Sequence, residues 1–202
     1  LTEDVRRFFA EIDAAPVVWH GPPPVDQAVF DRNYARKTPE RGLDDTMLWA
    51  LATAKTNRAE RYGVEREVEA HGVPPNATDD PHVSDPIVLC GEIVGVALFS
   101  LLLEKARVLF ASQPEALGRI EALFAQIMVD EVGHVHFVRS RLSASQLAWA
   151  QRILPLVAHG ALDDLPELVK LFGRKTIVER VVAADVDGAA APYPDRLVFS
   201  AA

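Results

Sequence analysis

The stretch Met128-Val129-Asp130-Glu131-Val132-Gly133-His134 carries the residue types from which a metal site or a buried acid–base pair is built. Helical patterning surrounds it, from about Glu115 to Arg141. At about 100° per residue, Ile120, Phe124, Ile127, Met128, His134, Val135 and Val138 all fall within about 60° of Glu131. An apolar stripe faces the core, so Glu131 and His134 are expected to point inward from the buried face. A carboxylate is costly to bury unless something pairs with it. Glu-x-x-His sets a carboxylate and an imidazole one turn apart on one side, where both reach a single metal ion. A hydrogen-bonded Glu–His pair without metal satisfies the same burial.

A second acid has the same problem. Glu92 is the one charge in Ile87-Val88-Leu89-Cys90-Gly91-Glu92-Ile93-Val94-Gly95-Val96-Ala97-Leu98-Phe99, so it is expected to be neutral, paired or metal-bound. Between Glu92 and Asp130 lie 37 residues. That interval holds two antiparallel helices and a turn near Ser112-Gln113-Pro114, which brings Glu92 opposite Glu131 and His134.

The pattern Glu92-x37-Asp130-Glu131-x2-His134 resembles one half of the site of the ferritin-like di-iron carboxylate proteins. Those take one Glu from each of two helices and a Glu-x-x-His from each of two others. The resemblance covers about residues 85–142. It implies that Glu92, Glu131 and His134 are metal ligands, with iron as the cofactor and manganese as the alternative. It also implies that Asp130 orients a histidine, because a metal-bound imidazole usually donates its other N–H to a carboxylate. The chain departs from the family in having no second Glu-x-x-His.

Other residues could complete the set. Glu65 and Glu69 lie toward the core face of a long helix expected over Leu43–Ala70, with Asp44 or Asp45 as its cap and Gly72 closing it. Lys55 shares that face with Leu48, Leu51 and Tyr62. Its ammonium either snorkels to solvent or pairs with Glu92 or Glu131, taking the place of a metal or a missing ligand. His159, beside Gly160, complements a helix dipole or serves as a ligand. His71 also falls at a helix end, Glu179 and Asp185 fall in the last helix, and His136 projects about 140° away from Glu131. His20 and His82 lie in loops.

These residues need elements to position them. Short helices are expected over Thr2–Ala14 and Val25–Lys37. A proline-rich loop over Val73–Pro86 fits the long crossover of a ferritin-like bundle. Helices follow over about Ile87–Ala111 and Glu115–Arg141. Ser143 opens another that reaches about Leu154, where Pro155 kinks or ends it. A helix started by Asp163-Asp164-Leu165-Pro166 is closed by Gly173, and a last one runs from Thr176 to Asp185. The expected fold is therefore all-α, a ferritin-like helical bundle with additional short helices at both ends. One domain spans 1–187, its core bundle at about 43–158, and 188–202 form an extended tail. The Glu92 helix is apolar nearly all round. Val94, Leu98 and Leu101 lie opposite Glu92, so a further helix or a second subunit is expected to cover them, and a homodimer is expected.

Composition narrows the function. With 29 acidic and 21 basic residues the net charge is −8, which argues against a nucleic-acid surface. One cysteine, Cys90, rules out an internal disulfide and suits a reducing cytoplasm. The opening Leu1-Thr2-Glu3-Asp4 does not read as a signal peptide. The apolar stretch Ile93–Leu103 is shorter than a membrane span. No Gly-rich phosphate loop or nucleophile elbow is present. The resemblance implies a di-iron or mono-iron non-haem oxidoreductase that uses dioxygen on a small organic substrate. A second class fits the same residues: a ferritin-like metal-binding or structural dimer with a degenerate site and no catalysis.

Overall fold

The computed structural model describes residues 25–56 and 81–184, with backbone alone at 81–84. The described residues are helical with connecting turns and contain no strand. The helices are α1 (Gln27–Tyr34), α2 (45–56), α3 (Pro81–Leu109), α4 (Pro114–Ser140), α5 (Ala144–Ala161), α6 (Pro166–Phe172) and α7 (Arg174–Val182). The expected helix over 2–14, the continuation of α2 to Ala70 with Glu65, Glu69 and His71, the closing Gly72, and the tail at 188–202 lie outside the described residues, as do His20, Asp185 and the His82 side chain.

Local chemistry sets most boundaries. Asp26 caps α1 by accepting from Val29 N at 3.0 Å, and Asp44 caps α2 by accepting from Met47 N at 2.8 Å. Ser143 and Gln146 form a reciprocal capping box at the start of α5. Gly173 closes α6 and opens α7 at φ +79°, a left-handed conformation that side chains with a Cβ resist.

Two prolines stop less than expected. α3 begins at Pro81, inside the stretch read as loop, and runs through Pro86. Proline at the first helical position costs nothing, since its missing N–H would be an orphan there. α5 continues past Pro155 to Ala161. Ala150, Leu154 and Ala158, spaced four apart, are all buried, and that packed face carries the helix through. Gln151, whose carbonyl loses its helical donor, is exposed to water.

α3 is the centre of the molecule, packing on α4, α5 and α7. Trp49 of α2 donates its indole N–H to Leu102 O at 2.8 Å. Its ring lies 5.1 Å edge-on from Phe110 and 6.4 Å from Phe124, and Phe99 meets Phe124 at 6.1 Å. These aromatics form a core between α2, α3 and α4. The Cys90 thiol donates to Ala150 O at 3.3 Å, where α3 meets α5. Leu162, Leu165, Leu168, Ile177 and Val181 belong to the same core, so it extends beyond residue 158.

Val94, Leu98 and Leu101 are buried within this core. The chain's own helices cover the face that suggested a second subunit. Over Asp85–Leu109, α3 is long and apolar enough to cross a membrane by length and composition, which corrects the shorter reading of Ile93–Leu103. In this fold 61% of that window is buried inside the protein, as in a core helix.

Candidate metal centre

Glu92 and the Glu131–His134 pair meet across the seam between α3 and α4. His134 Nδ1 stands 3.3 Å from Glu92 Oε2. One ligand atom from each of Glu92, Glu131 and His134 lies within 4.8 Å of the other two. The antiparallel hairpin expected from the spacing is what brings them together.

Burial is graded across the three. Glu131 is buried in the core. The Glu92 side chain is 22% exposed and that of His134 is 61% exposed. The expectation of an inward-pointing His134 is therefore corrected. It lies about 60° round α4 from Glu131, at the edge of the apolar stripe, where the seam is open to solvent.

The donor set fits one divalent ion. Ligand atoms bound at about 2.0–2.2 Å to a shared ion can be no more than about 4.4 Å apart. Small side-chain rotations close the gap from 4.8 Å. Two carboxylates and one imidazole combine hard oxygen with borderline nitrogen, a mixture suited to iron, manganese or zinc rather than to calcium or magnesium.

The remaining candidates stand apart. Asp130 is exposed on α4, and among the described residues no hydrogen bond joins it to a histidine. The carboxylate beside His134 is Glu92. His159 is exposed in the last turn of α5, and its carbonyl accepts from Arg174 Nη1 at 2.8 Å. Glu179 is exposed and lies 3.7 Å from Lys175 Nζ. His136 is exposed, as its helical phase requires.

Lys55 does neither of the things expected of it. Its ammonium donates to Glu167 Oε1 at 2.5 Å and to Arg36 O at 2.8 Å. The Lys55 side chain is 10% exposed and that of Glu167 is fully buried. The ion pair joins α2 to the first turn of α6, and the carbonyl bond ties in the segment after α1. Glu167 was not singled out by its sequence context. An acid after Pro166 in the first turn of a helix reads as a dipole partner in solvent. The available signal was its position one turn before Leu171 and beside Leu168.

Compared with known protein families, with curated proteins and with solved structures, the chain matches none.

Proposed function

We propose that Glu92, Glu131 and His134 hold one iron or manganese ion in a ferritin-like bundle, and that the chain is a non-haem iron oxidoreductase acting with dioxygen on a small organic substrate. The observation that carries this reading is the convergence of three ligand atoms within 4.8 Å from two adjacent helices.

A bound ion of this kind supplies redox chemistry and Lewis acidity. The protein's own part is positional. Glu131 anchors the inner side of the site, since its carboxylate is fixed by the packed face of α4. Glu92 spans the seam and orients the His134 ring through the Nδ1 contact. Three protein ligands leave coordination positions open, and the exposed His134 side is where a substrate can approach. The core behind Glu131 keeps bulk water from the inner side.

Metal stoichiometry tests the reading. Purified protein reconstituted anaerobically with Fe(II) is expected to hold about one ion per chain, and Glu131→Ala and His134→Ala are each expected to abolish uptake while keeping most of the helicity. Wild-type iron content in both variants would sink the assignment. A second reading has its own support: His134 and Glu92 at 3.3 Å, with His134 largely in solvent, also describe a surface His–Glu pair on a ferritin-like scaffold that does no catalysis. No metal uptake by the wild-type chain, at any divalent ion tried, would favour it.

A further inference from the structure

We propose that the site takes a small amphipathic carboxylate, its apolar body on Phe137 and its acid group on Arg141. This rests on the metal reading above. Among the described residues, the burial gradient leaves the His134 side open, toward the outer face of α4. Phe137 follows one turn later and is 63% exposed. Arg141 follows a turn after that, and its guanidinium carbon stands 5.6 Å from the Phe137 ring centroid. Among the described residues it makes no ion pair with a carboxylate. His134 and Arg141 are seven residues apart, nearly in line on one helical face and about 10 Å along the axis.

Charge fixes the direction. Asp130, one turn on the other side of His134, is exposed and negative. The outer face of α4 therefore reads acid, imidazole, ring, guanidinium in order. An organic acid is repelled by Asp130 and drawn to Arg141, whose planar fork suits a carboxylate. Its apolar body then lies over Phe137, and its far end reaches His134. A ring or short chain on a carboxylate matches that span.

The probes are 4-phenylbutanoate and its uncharged amide, titrated calorimetrically into the full chain, first metal-free and then loaded with Mn(II). The acid is expected to bind more tightly than the amide. Arg141→Gln is expected to weaken the acid about fivefold, as for an exposed ion pair, and to leave the amide unchanged. Phe137→Ala is expected to weaken both. With manganese bound, proton relaxation of the ligand gives its orientation: the ring protons should broaden most and the methylene next to the carboxylate least. Equal affinity for acid and amide, indifference to Arg141→Gln, the reverse broadening, or no binding of either probe overturns the proposal. Arg141-dependent binding of the acid to a chain that takes up no manganese upholds the docking surface and sinks the metal reading, so the two failures are told apart.

Discussion

Lys55 and Glu167 form a buried ion pair with a second bond from the ammonium to a backbone carbonyl. Removing one partner of such a pair strands the other's charge in the core, so Lys55→Ala is expected to cost roughly 3–5 kcal/mol in urea unfolding. Replacing both together, as Lys55→Met with Glu167→Leu, is expected to recover most of that loss. Neither change should alter metal uptake, because the ammonium is on Glu167 and not on Glu92 or Glu131. Cys90 adds a pH dependence. Burial pushes its thiol up from 9.0 to about 11. The unfolded chain releases that proton near pH 9 and the folded chain holds it until about pH 11, so the thiol's contribution is intact below pH 9 and is lost as pH rises between the two. Stability curves for wild type and Cys90→Ala should run parallel below pH 9 and converge or cross above it; divergence on the acid side would contradict the burial argument. At this scale the sequence exposed what phase alone decides. Glu131 in the core and His136 outward follow from angles on a wheel, and Glu92 opposite Glu131 follows from the length of the hairpin between them. The exposure of His134 does not, because a residue at the edge of a stripe is buried or open according to how wide the seam beside it is. The partner of Lys55 was hidden for another reason: it lies 112 residues away in sequence, and no local pattern encodes that distance.

Among the elements, the cap at Ser143 is local and was readable from one serine and its position, while the structure adds the reciprocal bond with Gln146. Ser143→Ala is expected to cost about 1 kcal/mol, measured by denaturant midpoint. Gly91 and Gly118 sit inside helices with nothing within 4 Å of a Cβ added to either. Their backbone freedom has no steric use there, so Gly91→Ala and Gly118→Ala should each stabilise the protein by about 0.5–1 kcal/mol. A loss of stability at either would mean that something packs there. The helix boundaries that departed from expectation have two causes: Pro81 stands at the first helical position, where no N–H is needed, and past Pro155 packing decides. A proline is a local signal against helix, but the face of α5 at Ala150, Leu154 and Ala158 is held by contacts distant in sequence, and these outweigh one missing hydrogen bond. Tertiary packing overrides propensity where enough apolar surface lies on one side.

For the whole molecule, the all-α class was legible because long runs with helical periodicity leave little room for anything else. The covering of α3 was not. Val94, Leu98 and Leu101 could equally have met a second copy, and only the placement of α5 and α7 shows that the chain fills its own centre. Leu98→Asp is therefore expected to abolish cooperative folding. A well-folded variant that merely shifts from dimer to monomer in light scattering would restore the intersubunit reading.

Gly173 gives the chain a fixed length at one place. It ends α6 and begins α7 with no residue to spare, while Leu168 on one side and Ile177 and Val181 on the other are all buried. One residue inserted or deleted between them turns α7 by about 100° and carries Ile177 and Val181 out of the core. A frame-preserving change of a single codon at this joint therefore acts on the entire α7 packing surface, whereas a point substitution elsewhere in α7 touches one contact. Among variants of this chain, the spacing from Leu168 to Ile177 should be held constant even where the residues between them change.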